Sequence, residues 1–505
     1  MSKEHAEQDL RKLVRELQRA LKAKDKTIKK LVDQLEKSNN RVSALERELG
    51  KSPSRKFDEP FSVEAEERRQ QQRTRSKARK KKARKGRVTT ADKLKRAART
   101  EHVYPTGVPI KDCKFSHARP IWRLEHGNAV LVAYYIFRGP NKQYGKVDGA
   151  LGRSEFGIEI FVTLAQLVFV TGLSFDKACS LLNFFQGLQL SKSQADALLK
   201  QLSRHWEKDF DTLCTLLANS TVVHADETSW TINSVWAFLS EKARIVFFGV
   251  NKDAATLTQI LNPDTFGGTV ISDDAAVYAN FEKSQKCWAH LLRKAIKLTL
   301  MEPNNDEYRK FTDGLLVIYR KACRIQKDRR FKDATRERKV QELEDELTEL
   351  CEGMWFSDLP PQDEEALDDY RRLVNELMRL SLQGQLFTFV VGGDVEQPNG
   401  ESSLLAGTNN ESERELRGPA TDRKTGRGSK TAAGARRRTV LGSVLGSLRL
   451  YLTEFTLSSV LGEINSWAAA GTSCFSDLLQ RLKLPPPEAS VLNSLYPNIN
   501  SAKTA

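Results

Sequence analysis

The sequence predicts a multidomain α/β chain: an N-terminal coiled coil, a helical leader, and a mixed-sheet core interrupted by a helical insertion. Three observations carry this expectation. A heptad repeat opens the chain, with Val14, Leu21, Ile28, Leu35, Val42 and Leu49 on one seam. Three β-rich runs follow one another between Thr221 and Val250, and a helical run and a fourth β run come after them. At 505 residues the chain is too long for one ordinary hydrophobic core, while its 39% hydrophobic content supports a globular centre.

Leu10, Leu17, Leu31 and Leu45 fill the second seam of the heptads, with Lys24 and Ser38 as polar exceptions. β-branched residues and Leu on one seam with Leu on the other suit two-stranded packing, so residues 1–50 are expected to form a parallel dimer. A single amphipathic helix lying on the body is the plainer alternative. Residues 51–100 read as a disordered basic linker: between Arg68 and Arg99 there are sixteen Lys or Arg against one acid, Asp92. Such a segment has almost nothing apolar to bury, and its charge density suits phosphate neutralisation better than mere solubility.

The formal charge of +16 predicts attraction to a polyanion, without choosing among DNA, RNA and an anionic membrane. Seven scattered cysteines, with no CxxC pair, argue against a disulfide framework and for a reducing cytosol. The N-terminus is charged from Lys3, and the longest apolar run, Ile160 to Val170, is about half a bilayer span. A soluble, unexported protein is expected.

Residues 101–215 are read as a helical region. Ile158, Phe161, Val162, Leu164, Ala165, Leu167 and Val168 form one apolar face; a second helix runs from Ser174 through Phe185; a third opens at Ser191, where Gln194 completes a capping box. Three short helices with a brief turn, Gly187 to Leu190, resemble a helix-turn-helix, and ordinary helical packing reads the same way.

Residues 216–302 and 385–470 form the expected core, and 303–384 a charged helical insertion marked by Leu343, Leu347 and Leu350. In TVVHADETSW, alternation along a strand puts His224, Asp226 and Thr228 on one face and Glu227 on the other. Val235–Ser240 and Arg244–Val250 complete a meander; Ala254–Leu261 is helical; Gly268–Ser272 is a short strand that delivers Asp273 and Asp274. Strand, strand, strand, helix, strand, helix is the order of a ribonuclease H-like fold, in which the first and fourth strands are neighbours. Asp226 and Asp273 would then converge, although carboxylates at strand ends are also common turn formers.

A third acid is sought in TNNESERELR. Thr408 with Glu411 makes a capping box, so Glu411 has a structural task and Glu413 does not. Asn409, Asn410 and Arg417 lie at helical spacings from Glu413, and a solvated charged helix is the competing reading. In-line phosphodiester chemistry needs charge neutralised on both the attacking and the leaving oxygen, which two Mg²⁺ (or Mn²⁺) ions about 3.5 to 4 Å apart accomplish. Such hard ions take oxygen ligands, so a few carboxylates suffice.

HADETSW at His224–Trp230, SDDAAVY at Ser272–Tyr278, KCWAHLLRK at Lys286–Lys294 and NNESERELR at Asn409–Arg417 together resemble the insertion-sequence-66 transposases. The resemblance covers about residues 220–450, and the leader from 155 looks compatible. It implies a DDE enzyme whose triad and metal ligands are Asp226, Asp273 and Glu413, and it favours Asp273 over Asp274.

It also implies double-stranded DNA, at element ends and target, as partner; a homodimer or higher oligomer, with accessory transposition proteins as further partners; and a bacterial, nucleoid-associated, cytoplasmic setting with no membrane. Expected DNA contacts are Arg79, Lys80, Lys81, Lys82, Arg84 and Lys85 in the linker, and Arg414, Arg417, Arg427, Lys430, Arg436, Arg437 and Arg438 beyond the third acid. Members of the family commonly carry a cysteine-rich zinc segment after the coil. This chain has only Cys113 there, so no structural zinc is expected, and Cys287 and His290 lack the second pair that a zinc site wants. Residues 471–505 are read as a C-terminal tail. A catalytically inactive transposase-derived DNA-binding protein is the competing function, and a ribonuclease or junction nuclease on the same fold is a third.

Overall fold

The structure, a computed structural model, describes residues 88–355 and 364–496. The predicted coiled coil over 1–50 and most of the basic linker, including Arg79, Lys80, Lys81, Lys82, Arg84 and Lys85, lie outside the described residues.

The helical reading of 101–215 holds only from Ile158 onward. Ahead of it lies a three-stranded sheet in the order β1-β3-β2, built from β1 (Arg99–Val103), β2 (Lys114–Glu125) and β3 (Asn128–Arg138). The antiparallel pair β2–β3 turns on His126 and Gly127, whose φ values of 48° and 81° give the positive pair that a two-residue hairpin needs. Val130 to Phe137 is an almost unbroken β-branched and aromatic run, and periodicity alone cannot tell such a run from a buried helix.

Four helices follow: α1 (Ile158–Ala165), α2 (Phe175–Gln186), α3 (Lys192–His205) and α4 (Glu207–Ala218). Ser191 and Gln194 make both bonds of the predicted capping box at the start of α3. Gly187, at φ 67°, ends α2 in the left-handed conformation. Phe161, Leu199, Phe210 and Leu217 of these helices are wholly buried, in one core with the central sheet.

That sheet has five strands in the order β6-β5-β4-β7-β8: β4 (Val222–Ser229), β5 (Ser234–Ser240), β6 (Arg244–Val250), β7 (Thr269–Ser272) and β8 (Ser284–Lys286), with α5 (Ala254–Ile260) between β6 and β7. β4, β5 and β6 form an antiparallel meander, whereas β7 and β8 join parallel to β4. After β8 comes α6 (Trp288–Met301), and then the insertion: α7 (Asp306–Lys327), α8 (Asp333–Trp355) and α9 (Glu364–Leu382). Phe311, Leu315, Leu343, Leu347, Tyr370 and Leu377 give these helices a second core, shared with Trp288 and Ile271 beside the sheet. The chain then returns through α10 (Asn410–Lys424) to α11 (Ala432–Leu448).

α11 closes the open edge of β6. The backbone N–H groups of Arg244, Val246 and Phe248 donate to the hydroxyls of Ser447, Ser443 and Thr439, each at 3.0 Å. Four residues of helix rise about 6 Å and two residues of strand about 6.8 Å, so hydroxyls spaced by four meet alternate amides and cover an edge that would otherwise recruit another strand. Ser443→Ala leaves the buried Val246 amide unpaired and is expected to cost about 1–3 kcal/mol in denaturant unfolding. An unchanged midpoint would show that this amide finds another acceptor.

Of the expected tail, residues 471–496 are described, and they are packed helices. α12 (Leu457–Ala470), α13 (Cys474–Arg481) and α14 (Val491–Leu495) follow α11, and Phe475, Leu479, Leu492 and Tyr496 are buried in the main core. The Tyr496 hydroxyl donates to Phe248 O at 2.7 Å, a tie between distant segments that no local periodicity reveals. Among the described residues, no helix is long and apolar enough to cross a membrane.

Candidate active site

β4 and β7 set the geometry. Their parallel register pairs Val222 with Thr269, Val223 with Val270 and His224 with Ile271. Two residues further on, the same register brings Asp226 level with Asp273, just past the end of β7. The Asp273 carboxylate accepts the Ala275 amide at 3.0 Å, a local turn that fixes its direction. Asp274 instead pairs with Arg379 of α9, so the two adjacent aspartates are divided between the strand end and the insertion.

α10 is tied to the same strand by Asn409, which is wholly buried. Its side-chain amide donates to Ala225 O at 2.8 Å, its Oδ1 meets His224 Nδ1 at 3.3 Å, and its backbone N–H donates to Cys287 Sγ at 3.1 Å. Glu413 lies one turn beyond, its N–H bonded to Asn409 O at 3.2 Å. Asn409 therefore works inside the protein rather than on an open face shared with Glu413. The predicted Thr408–Glu411 capping box is absent: the helix starts one residue later, with Asn409 as its N-cap and no side-chain cap. Glu411 pairs with Arg244 at 2.7 Å.

Burial is the largest influence on Asp226, followed by the negative charges of Glu227, Asp273 and Glu413, and together they push its carboxyl up to about 7. The three predicted acids thus share one electrostatic neighbourhood. They are not drawn into a tight cluster: Glu413 accepts from Arg293 Nη2 at 2.7 and 3.0 Å and lies 3.6 Å from His290 Nε2. Among the described residues, one trio of potential ligands has its atoms within 4.8 Å of one another, and it is Cys287, His290 and Glu413.

Sequence reasoning missed the supports around these acids. Glu227, with only 2% of its side chain exposed, accepts the Tyr278 hydroxyl and pairs with Lys252 at 2.8 Å. Its bond to Lys252, with the charges of Asp273 and Asp226 behind it, raises that ammonium above its ordinary value. Lys286, buried, donates to Ser272 Oγ at 3.2 Å and Asp273 O at 3.1 Å and braces the turn that carries the second acid. Beside Asp273, a cleft of about 630 Å³ opens between α6 and α9, with Lys294, Glu376 and Arg379 among its walls.

The basic residues expected beyond the third acid divide. Arg414 and Arg417 are exposed on α10. Arg436 and Arg438 are each only 6% exposed, which corrects their reading as DNA contacts. Arg436 pairs with Glu207 at 3.2 Å and donates to Leu492 O at 3.2 Å. Arg438 pairs with Asp422 and lies 5.1 Å from the Trp230 ring centroid and 4.8 Å from that of Phe248. Arg437 is held by Asp196 at 2.7 Å, and Arg427 donates to Gly172 O and faces Asp422. Lys430 is half-buried.

No curated protein matches the chain. The family model described as Transposase IS66 family matches residues 153–437, a span that begins just before α1, takes in the five-stranded sheet and the inserted helices, and ends in α11 beyond Glu413. The three-stranded sheet lies ahead of it. By this match over more than half its length, the chain belongs to the IS66 family of transposases.

Proposed function

We propose that this transposase cleaves and joins DNA strands at the ends of its element by two-metal-ion phosphodiester chemistry, on a ribonuclease H-like core, with Asp226, Asp273 and Glu413 as metal ligands. The observation that carries the reading is the β4–β7 register, which sets Asp226 beside Asp273 while Asn409 anchors the helix of Glu413 to the same strand. The donor set fits hard divalent ions: three carboxylates, one of which holds its proton to about pH 7 because burial, and then the charges of its acidic neighbours, disfavour its ionised form. Two Mg²⁺ or Mn²⁺ ions bound there would supply charge neutralisation on the attacking and leaving oxygens.

The chain's own residues do the rest. Asp226 would serve both ions, and Asp273 and Glu413 would each complete one. Lys252 stands beside the acids with 59% of its side chain exposed, offering a cation to the phosphate while Glu227 holds it in place. Arg414 and Arg417 extend that attraction along α10, and the basic linker adds contacts that do not depend on sequence. Residues 1–50 pair two copies so that two ends are held together.

Supercoiled plasmid carrying the element's ends tests this. Nicking and linearisation in Mn²⁺ or Mg²⁺, stopped by chelation, is the expected result. Plasmid binding without metal-dependent cleavage would favour the inactive DNA-binding reading instead.

A further inference from the structure

Cys287 and His290 lacked further ligands in the sequence, and the fold brings them a third. Cys287 is the N-cap of α6, a helix of 14 residues, and His290 lies in its first turn. Glu413 arrives from α10, with one ligating atom of each residue within 4.8 Å of the other two. Around a tetrahedral zinc, with bonds of about 2.0–2.3 Å, ligand atoms stand roughly 3.3–3.8 Å apart, so modest side-chain rotations close the gap. Independently, His290 Nδ1 is buried without a hydrogen-bond partner. Buried polar atoms rarely remain so, and the imidazole keeps a ring nitrogen uncommitted, as a metal ligand must.

We infer that Cys287, His290 and Glu413 bind a divalent cation of the zinc class, at a site distinct from the all-oxygen pair Asp226 and Asp273. Burial pushes the Cys287 thiol up, and against it the Asn409 N–H donates to Cys287 Sγ at 3.1 Å and the N-terminus of α6 favours negative charge, as a bound cation would. Arg293 steadies the Glu413 carboxylate from outside, as an outer partner does for a ligand. Magnesium has little affinity for sulfur, so the two sites select different ions. Glu413 is common to both. Resting on the catalytic reading above, zinc here withdraws Glu413 from the other acids and suppresses cleavage.

Cobalt(II) titrated into the full-length, reduced, metal-free protein reads the site directly. A thiolate-to-cobalt charge-transfer band saturating at one equivalent and displaced by zinc is expected. It should vanish in Cys287→Ala although the other six cysteines remain, and in His290→Asn and Glu413→Gln binding should weaken by more than the roughly 10- to 100-fold that loss of an outer partner costs. No band, or a band unchanged in Cys287→Ala, overturns the site; if that variant fails to fold, the other two decide. Stoichiometric zinc should also halt Mn²⁺-dependent nicking, and nicking unaffected by bound zinc overturns the link to catalysis. A protein that binds cobalt here yet cuts no DNA contradicts the transposase reading alone, and one that cuts DNA without binding cobalt contradicts this site alone.

Discussion

Asp226→Asn is expected to stop metal-dependent strand cleavage and, without metal, to make the protein more stable. The first effect follows from removing a ligand charge worth several kcal/mol in the transition state, on the order of a thousandfold in rate or more. DNA affinity should change little, because the basic surface is untouched. The second effect follows from the raised carboxyl. Its folded value of about 7 exceeds its ordinary 3.8, so the folded state holds this proton more tightly than the unfolded chain does. The contribution of Asp226 to metal-free stability therefore falls as pH rises from about 4 to about 7, and above that range the full penalty applies. Asp226→Asn removes the penalty, on the order of 4 kcal/mol at pH 8. Thermal unfolding from pH 5 to 8, with and without Mg²⁺, checks it: the wild-type protein should lose stability relative to the variant as pH rises, and Mg²⁺ should restore it. Parallel curves for the two proteins would mean that neither burial nor its acidic neighbours disfavour the charged form of Asp226.

Arg438→Met should destabilise the fold by about 3–5 kcal/mol, because it leaves Asp422 charged in a place where only Arg427, at 3.5 Å, still faces it. The guanidinium also covers Trp230 and Phe248, contacts that Met replaces only in part. Adding Asp422→Asn should recover much of the loss, since the orphaned charge is the main cost. Had Arg438 been a phosphate contact, its removal would instead lower the salt dependence of DNA binding by about one ion with stability unchanged. Denaturant midpoints and salt titrations of the two variants separate these cases.

The contrast shows which physics a sequence displays. The core strands were legible because alternation and turn residues are local, and β4 beside β7 followed from their order. Ser191 and Gln194 were legible because a capping box is complete within four residues. The three arginines Arg436, Arg437 and Arg438 read as a basic patch because their partners, Glu207, Asp196 and Asp422, belong to other helices. Glu227 read only as lying on the strand face opposite Asp226, and its tie to Tyr278 and Lys252 is made by the fold. Asn409 read as part of an exposed face, whereas its three bonds reach β4 and Cys287, over 120 residues away. The sheet ahead of Ile158 escaped because a continuous apolar run has no period to read.

Side-by-side conversion of supercoiled element-end plasmid by the wild-type protein and by Asp226→Asn, Asp273→Asn and Glu413→Gln, at protein concentrations giving equal DNA occupancy, weighs the whole account. Metal-dependent cutting by the wild type, with all three variants folded, bound to DNA and reduced to background, is the predicted result. Substantial cutting by any one of them would remove that acid from the site, and survival of Asp226→Asn would contradict the account at its centre.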